Sequence, residues 1–193
     1  CSNNVDLFER AKLLSHHGIN KQPGHEYFWS TEIGYNYSWT NVQASLALAQ
    51  LRRIDELIDY KKWLFNLYQS NLMGIEGVSI NQNYKNVHPT FWITFAILKK
   101  EFGLTKQELV KSFDQYNIDL RPMFYPISSM PPFKKYLSHK VTKEINPNSY
   151  SISKYGICLP SGNNLSESDV IYICDVLKEI LQKKKKLIDR KYV

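Results

Sequence analysis

The chain has 193 residues, a length that suits one domain or one and a half. Hydrophobic residues make up 43% of it and charged residues 22%, which is ordinary for a globular protein, and no run approaches the roughly 18 apolar residues of a membrane span. The net charge of +7 is scattered except for a lysine run at 183–186 near the end of a predicted helix, where cations complement the helix dipole. The charge therefore does not indicate a nucleic-acid surface.

The cysteines argue against a disulfide framework, and the histidines argue against a metal site. The three cysteines, at positions 1, 158 and 174, form no spaced pair, and no signal peptide is recognisable. Both observations favour a reducing cytoplasm. His16 and His17 are adjacent and would point about 100° apart on a helix, and the other three histidines are isolated. We therefore expect no metal site.

The first predicted element is an amphipathic helix over 5–17, with Asn4 as its N-cap and Gly18 at its end. A polar and aromatic segment with turn-forming Pro and Gly follows over 19–31. It contains the run Gly-His-Glu-Tyr-Phe-Trp at 24–29. These aromatic residues suit the mouth of a pocket and a surface loop with packed rings equally well.

An aromatic loop and a long helix form the centre of the sequence. The loop, 34–39, places two Tyr and a Trp around Asn36, and Thr40 then suits an N-cap. Apolar residues recur at helical spacing with no Pro or Gly until Gly74, which predicts one helix over 40–73. Such a helix is roughly 50 Å long, so we expect it to connect two bodies. The rings of the loop suit packing, whereas the amide among them suits a binding site.

The sequence after this helix predicts a small α+β layer with a helix on one face of a sheet. Strands are expected at 78–80, 90–98 and 118–123, and helices at 105–116, at 149–155 and from 166 onward. Thr105 and Glu108 form a capping box, and Asn117 can take a left-handed cap. A looser capping box at 166–169 starts the last helix.

A proline-rich run over 121–133 begins within the end of the third predicted strand. Its four prolines exclude regular structure. Arg121, followed by Phe124 and Tyr125 on a rigid loop, could clamp an anion or a ring, because Arg binds phosphate bidentately. A surface Arg beside a rigid turn is the alternative, and the residues alone favour it.

Two motifs carry a resemblance to a known family. Gly-Tyr-Asn-Tyr-x-x-Thr-Asn-x-Gln-Ala at 34–44 resembles the Gly-Tyr-Asn-Tyr-Arg-Met-Thr-Asn-x-Gln-Ala signature of the sugar-nucleotide aminotransferases. The run at 121–131 is similar to their Arg-Pro-x-Phe-Tyr-Pro-x-x-x-Met-Pro motif. These are pyridoxal-phosphate (PLP) enzymes of fold type I. The chain most resembles the perosamine synthase-like enzymes, which aminate C4 of a 4-keto-6-deoxy sugar on GDP for O-antigen synthesis.

The resemblance covers essentially the whole chain and implies the C-terminal part of a fold type I PLP-dependent transferase, of α/β class with an α+β small domain. It implies that 1–39 end the large PLP-binding domain, that 40–73 form the connecting helix, and that 74–193 form a small antiparallel-sheet domain with helices. The implied partners are a nucleotide-sugar substrate, an amino donor, commonly glutamate, and a second copy in a homodimer, with neither nucleic acid nor membrane.

The resemblance also implies roles for individual residues. Asn36 is expected to reach the cofactor phosphate of the neighbouring subunit. The expected substrate-binding residues are His25, Tyr27, Arg121, Phe124 and Tyr125.

The catalytic lysine of the family, which forms the Schiff base with PLP, is expected shortly upstream of Cys1, and no lysine here occupies an equivalent place. We therefore expect a piece of a longer or processed protein that has no catalytic residue of its own and is inactive alone. Ser38 and Trp39 replace the Arg and Met of the signature, so any contact made by that Arg is absent. Two alternatives stay open: a non-catalytic binding or assembly module, and a related PLP-dependent sugar dehydratase.

Overall fold

The computed structural model describes residues 2–19, 29–82, 84–136 and 142–189. The chain divides into two compact units, Cys1–Ile54 and Asp55–Val193. This division falls inside the predicted connecting helix and coincides with neither predicted boundary, after residue 39 or after residue 73. The three-part domain organisation stays a prediction for the complete enzyme.

The first unit begins with helix α1, Val5–Ser15. Asn4 caps it as predicted, because its side-chain oxygen accepts a hydrogen bond from the backbone N–H of Leu7 at 3.0 Å. The helix ends two residues earlier than the sequence indicated. The reason is that His17 and Gly18 have φ values of 58° and 67°, which turn the chain out of the helix.

Helix α2, Asn41–Leu51, begins with a capping box. The hydroxyl of Thr40 accepts from the backbone N–H of Gln43 at 3.3 Å, and the Gln43 side chain accepts from the Thr40 N–H at 2.9 Å. Thr40 therefore starts the helix as the sequence predicted.

The prediction of one helix over 40–73 is wrong. Helix α2 is followed by a turn at 52–53 and then by helix α3, Ile54–Leu72, which has no further break. At the turn the backbone N–H of Arg53 donates to the carbonyl of Gln50, three residues back, at 3.2 Å. An α-helix uses the carbonyl four residues back, so the regular ladder stops there. Neither Pro nor Gly stands at the turn, which explains why the residue types did not reveal it.

The second unit is built on a four-stranded antiparallel sheet. Its strands are β1 (Val78–Ile80), β2 (Phe95–Leu98), β3 (Arg121–Pro122) and β4 (Gly156–Cys158). The strand order is β1-β2-β4-β3, so the last strand in the chain lies between β2 and β3. Ala96 of β2 and Pro122 of β3 both pair with Ile157 of β4. The predicted small antiparallel-sheet domain with helices is confirmed.

Two strands are shorter than predicted. Strand β2 begins only at Phe95, because Phe91 has a φ of 49°, which an extended strand does not allow. Asn81 takes over the pairing at this point: its side chain accepts from the Phe95 N–H at 2.7 Å and donates to the Ile93 carbonyl at 2.9 Å. Of the strand predicted over 118–123, Arg121 and Pro122 pair with β4 as β3, and the Met123 N–H donates to the Gly156 carbonyl of β4. The side chains of Ile118 and Leu120 pack into the core.

One core of buried apolar side chains joins the sheet to helices α3, α4 (Lys106–Asp114) and α7 (Glu167–Asp189). Its members include Leu64, Ala96, Phe113, Ile157 and Leu177. Two shorter helices, α5 (Thr142–Ile145) and α6 (Pro147–Tyr155), precede β4. Short 3₁₀ helices lie at Lys100–Phe102, Ile127–Ser129 and Pro131–Tyr136. The last two show that the proline-rich run does contain regular structure, because proline fits the first turn of a helix. Among the described residues, no helix has the length and apolar character needed to cross a membrane.

The caps predicted for this unit are confirmed. The Glu108 carboxylate accepts from the Thr105 N–H at 2.7 Å, and these hydrogen bonds lower the pKa of Glu108. Asn117 has a φ of 56°, as its predicted left-handed role requires. In the second box the Asp169 carboxylate accepts from the Ser166 N–H at 2.8 Å.

Polar side chains fix helix α3 to the turn that follows β4. The fully buried Tyr68 donates its hydroxyl hydrogen to the Pro160 carbonyl at 2.9 Å, and Tyr60 donates to the Leu165 carbonyl at 2.6 Å. Lys61 also donates to a carbonyl of this turn. Burial raises the pKa of Tyr68, so this hydroxyl remains a donor throughout the physiological pH range.

We predict that Tyr68→Phe lowers the free energy of unfolding by about 1–2 kcal/mol, because the Pro160 carbonyl loses the hydrogen bond from the fully buried Tyr68. Urea denaturation of the full chain measures the change. Tyr172→Phe is the control, since Tyr172 is half exposed and donates over a longer distance, 3.4 Å, to Tyr116 O. Its effect should stay within about 0.5 kcal/mol. Equal effects of the two substitutions would contradict the prediction.

Candidate functional site

The predicted site residues belong to different parts of the chain. Asn36 lies in the first unit, whereas Arg121, Phe124 and Tyr125 lie in the second. His25 and Tyr27 fall outside the described residues.

Backbone hydrogen bonds hold the Asn36 loop against the end of helix α1. The Tyr35 N–H donates to the Leu14 carbonyl at 2.7 Å, and the Tyr37 N–H donates to the Ser15 carbonyl at 2.9 Å. Between them, Asn36 forms a β-bridge with His16. The position of Asn36 is thus set by main-chain pairing on both sides.

A close approach of two backbones makes this pairing possible. A Cβ atom on Gly34 would overlap the backbone nitrogen of Gly18, so this position requires glycine. On the outer side of the loop the rings of Tyr35 and Tyr37 stack, with 5.4 Å between centroids and 7° between planes. The loop is therefore rigid at its backbone and presents aromatic faces to solvent.

The Asn36 side chain is exposed and makes no hydrogen bond to the part of the chain that the structure describes. Its amide has two donors and one acceptor oxygen available for a ligand. It stands four residues before Thr40, where the first N–H groups of α2 have no intrahelical acceptor. An amide donor beside a helix N-terminus suits a phosphate group, so these residues fit the phosphate of PLP.

Arg121 lies on the edge strand β3 and is mostly exposed. Its guanidinium pairs with the Asp119 carboxylate at 3.0 Å, and both side chains remain more than 70% exposed. An exposed pair of this kind is weak, so a phosphate could displace Asp119. Phe124 is 59% exposed and offers a ring face nearby in the sequence.

Tyr125 rests on a residue that the sequence did not single out. The Lys106 ammonium lies 3.6 Å from the centroid of the Tyr125 ring, and the neighbouring Gln107 side chain donates to the Tyr125 hydroxyl at 3.4 Å. Lys106 is only 2% exposed, and its ammonium also donates to the Met123 carbonyl at 2.7 Å. Burial lowers the pKa of Lys106. The sequence showed this lysine only as the residue after a helix cap, a position where lysine is usually solvated.

The two described cysteines are unsuited to nucleophilic chemistry. Cys158 and Cys174 are buried and free. Burial raises the pKa of Cys158, and it raises the pKa of Cys174 to about 12. Both therefore remain thiols at neutral pH. The described residues also hold no cluster of three or more His, Cys, Asp or Glu that could bind a metal.

Two cavities of the second unit lie away from the predicted site. One, of about 690 Å³, is lined by Gly77, Phe102 and Leu181 among others. Another, of about 390 Å³, is lined by residues that include His88 and Phe91. Arg121, Phe124 and Tyr125 line neither of these two cavities.

Comparison with known proteins identifies the fold and its relatives. The model of the DegT/DnrJ/EryC1/StrS aminotransferase family matches residues 1–178. GDP-perosamine synthase of Escherichia coli O157:H7 is 30% identical over 184 residues, which are 95% of this chain and 47% of that protein. The chain thus spans about half the length of the curated relatives it matches.

Solved structures agree. The PMP form of Spr1654 from Streptococcus pneumoniae superposes with a TM-score of 0.78 at 20% identity, over 95% of this chain and 47% of that one. PseC of Helicobacter pylori, an aminotransferase of pseudoaminic acid biosynthesis, gives 0.79 at 17% identity, over 94% and 48%. The matches confirm the resemblance, the fold class and PLP as the cofactor that the resemblance implied.

We predict that Gly34→Ala opens the Asn36 loop, because the added methyl group meets backbone that cannot move aside. Overpacking of this kind costs about 1–3 kcal/mol. Limited proteolysis with mass spectrometry should show faster cleavage between residues 29 and 40. Gly162→Ala is the control, because its Cβ would meet only the side-chain oxygen of Asn164, which can rotate away. A Gly34→Ala chain cleaved at the wild-type rate would refute the close approach.

Proposed function

We propose, from the premise that the chain belongs to the DegT/DnrJ/EryC1/StrS aminotransferase family, that it is the C-terminal portion of a sugar-nucleotide aminotransferase. The complete enzyme, meaning this chain with the remainder of the fold, transfers an amino group from a donor, with glutamate favoured, to a 4-keto-6-deoxy sugar on a nucleotide. GDP is the favoured nucleotide. The observation that carries the proposal is the 30% identity to a GDP-perosamine synthase over 95% of the chain.

Asn36 is the proposed contact to the cofactor. PLP, when bound, supplies the electron sink through which an amino group passes between donor and acceptor. The amide N–H groups of Asn36 donate to the phosphate, and the paired backbone of its loop keeps them in place. In the complete enzyme this contact is made to the second subunit of a homodimer.

Arg121, Phe124 and Tyr125 are the proposed substrate-binding residues of this chain, together with His25 and Tyr27. Arg121 can exchange its exposed Asp119 partner for a diphosphate oxygen, since a charge-assisted bidentate pair is stronger than an exposed ion pair. The exposed Phe124 ring can stack on a base or cover a sugar ring. The O-antigen as the destination of the sugar remains a prediction.

The lysine that the reaction requires is proposed to come from the remainder of the complete enzyme. Lys106 is buried among partners of its own unit and is therefore not free to bond a cofactor. A second function, a non-catalytic assembly module, has one observation in its favour: Val42, Leu46 and Leu51 of α2 are each more than 60% exposed. No observation on the described residues favours a dehydratase.

We predict that the complete enzyme converts a GDP-linked 4-keto-6-deoxy sugar with glutamate into the 4-amino sugar, detected by mass spectrometry. The 193-residue chain alone should show neither this activity nor the absorbance of a lysine-linked PLP. Borohydride reduction followed by peptide mass spectrometry tests the second part, and a cofactor-linked lysine within residues 1–193 would refute it. A complete enzyme that prefers UDP-linked over GDP-linked substrate would overturn the nucleotide assignment.

We predict that Asn36→Ala weakens PLP binding in the complete enzyme by about 1.5–3 kcal/mol, the value of one hydrogen bond to a charged group. The fold should be intact, because the loop is held by backbone bonds and not by this side chain. Titration of the apoenzyme with PLP measures the change. Asn163→Ala, an exposed asparagine of the second unit, is the matched control and should bind PLP as the wild type does.

Mixed dimers test whether Asn36 acts across the dimer. Subunits carrying Asn36→Ala are combined with subunits that lack the catalytic lysine. If Asn36 serves the partner's cofactor, one site of the mixed dimer has its own lysine and receives Asn36 from the lysine-less subunit, so that site binds PLP as tightly as the wild type does. Mixed dimers of folded, pairing subunits whose lysine-bearing site binds PLP as weakly as Asn36→Ala does would refute the action in trans.

A further inference from the structure

Lys106 carries a buried positive charge. It is 2% exposed, and among the described residues it takes part in no ion pair. A desolvated ammonium needs other groups that compensate its charge. The role of Lys106 therefore depends on which groups surround its ammonium.

Two of the three compensating groups belong to the loop that follows strand β3. The Met123 carbonyl accepts from the ammonium at 2.7 Å, and the face of the Tyr125 ring lies 3.6 Å from it. The third group is the Ser153 hydroxyl of α6, at 3.3 Å. A cation close to an aromatic face in a desolvated setting is held more strongly than one at an exposed site. Lys106 therefore ties α4 to this loop and to α6 at once.

Neighbouring contacts complete the hold on the loop. Gln107 donates to the Tyr125 hydroxyl at 3.4 Å, so consecutive residues of α4 contact the face and the far end of one ring. The Met123 N–H donates to the Gly156 carbonyl of β4 at 3.1 Å. The inner side of the loop is thus fixed, while Phe124, between the two fixed residues, remains 59% exposed.

We propose that Lys106 is a positioning residue for sugar-nucleotide binding: it holds Met123 and Tyr125 so that Phe124 and Arg121 are presented in one geometry to the substrate. The inference rests on the proposed function for the identity of the substrate. The clamp itself, Lys106 on Tyr125, does not depend on it. A preorganised loop loses less conformational freedom when the ligand binds, and this improves affinity.

A positioning role differs measurably from a merely structural one. If Lys106 only supported the fold, its loss would lower stability and, through the fraction of folded enzyme, the apparent kcat, and it would leave KM unchanged. If it orients the binding loop, its loss raises KM for the nucleotide sugar and leaves kcat nearly unchanged, because only substrate binding is weakened.

The first experiment observes the clamp in the full 193-residue chain without substrate. In an ¹⁵N-lysine NMR spectrum the buried, hydrogen-bonded ammonium of Lys106 should give a slowly exchanging signal, which Lys106→Arg removes and thereby assigns. The ring face shields that signal, so Tyr125→Leu should move it downfield. Tyr136→Leu is the control: Tyr136 also lies beside a lysine, Lys135, at 4.9 Å, but is 72% exposed.

The second experiment measures kinetics in the complete enzyme. Lys106→Met should raise KM for the nucleotide sugar on the order of tenfold, with kcat within about twofold of the wild type. Lys106→Arg, which keeps a cation for the ring, should restore most of the loss. Lys111→Met, an exposed lysine of the same helix, should leave both constants unchanged.

The outcomes separate the two proposals. An ammonium signal that Tyr125→Leu does not move would overturn the clamp. A moved signal with an unchanged KM in Lys106→Met, or with kcat and stability falling together, would overturn the positioning role. A wild-type enzyme that accepts no nucleotide sugar, combined with a moved signal, would refute the proposed function and leave Lys106 established as the clamp of this loop.

Discussion

The second unit depends on the central position of β4, a strand of only three residues that has to be paired on both edges. All three of its residues are buried, with β2 on one side and β3 on the other. Gly156 at its start has no room for a side chain, because a Cβ atom would lie 2.6 Å from the Ile152 carbonyl and 3.1 Å from Met123. The turn after the strand receives the buried hydroxyl of Tyr68. Strand β4 and the turn after it therefore hold two parts of the unit: the proposed substrate loop with Lys106, and helix α3.

The first unit is organised differently, since main-chain pairing fixes the course of the Asn36 loop. Neither α1 nor α2 has a buried residue. The Asn36 loop nevertheless has a defined course, because its N–H groups bond the last carbonyls of α1 and two glycines allow the backbones to approach. Because the loop is held by its backbone, side chains such as Ser38 and Trp39 can differ from the Arg and Met of the family signature without displacing Asn36.

Features that depend on a few adjacent residues were predictable from the sequence. The caps at Asn4, Thr40 and Thr105 follow from side-chain chemistry over three residues, and all three are present. Features that depend on the rest of the fold were not. The turn at 52–53 follows from no breaker residue. The start of β2 depends on one residue, Phe91, in an unusual conformation and on an asparagine from another segment. Lys106 was missed because its burial comes from a loop 17 residues later in the chain.

The paired hydrogen bonds of Asn81 have a consequence for how this domain can vary. The side chain finishes the ladder between β1 and β2 by bonding both Ile93 and Phe95, in the way that another strand residue would. The alignment of the two strands is thereby set at their shared end, independently of the connection between 82 and 92. Insertions and deletions in that connection can then lengthen or shorten it without a slip of the strands, and a slip of one residue would turn every side chain of β2 to the opposite face. The connection can thus vary in length while the alignment of β1 and β2 stays the same.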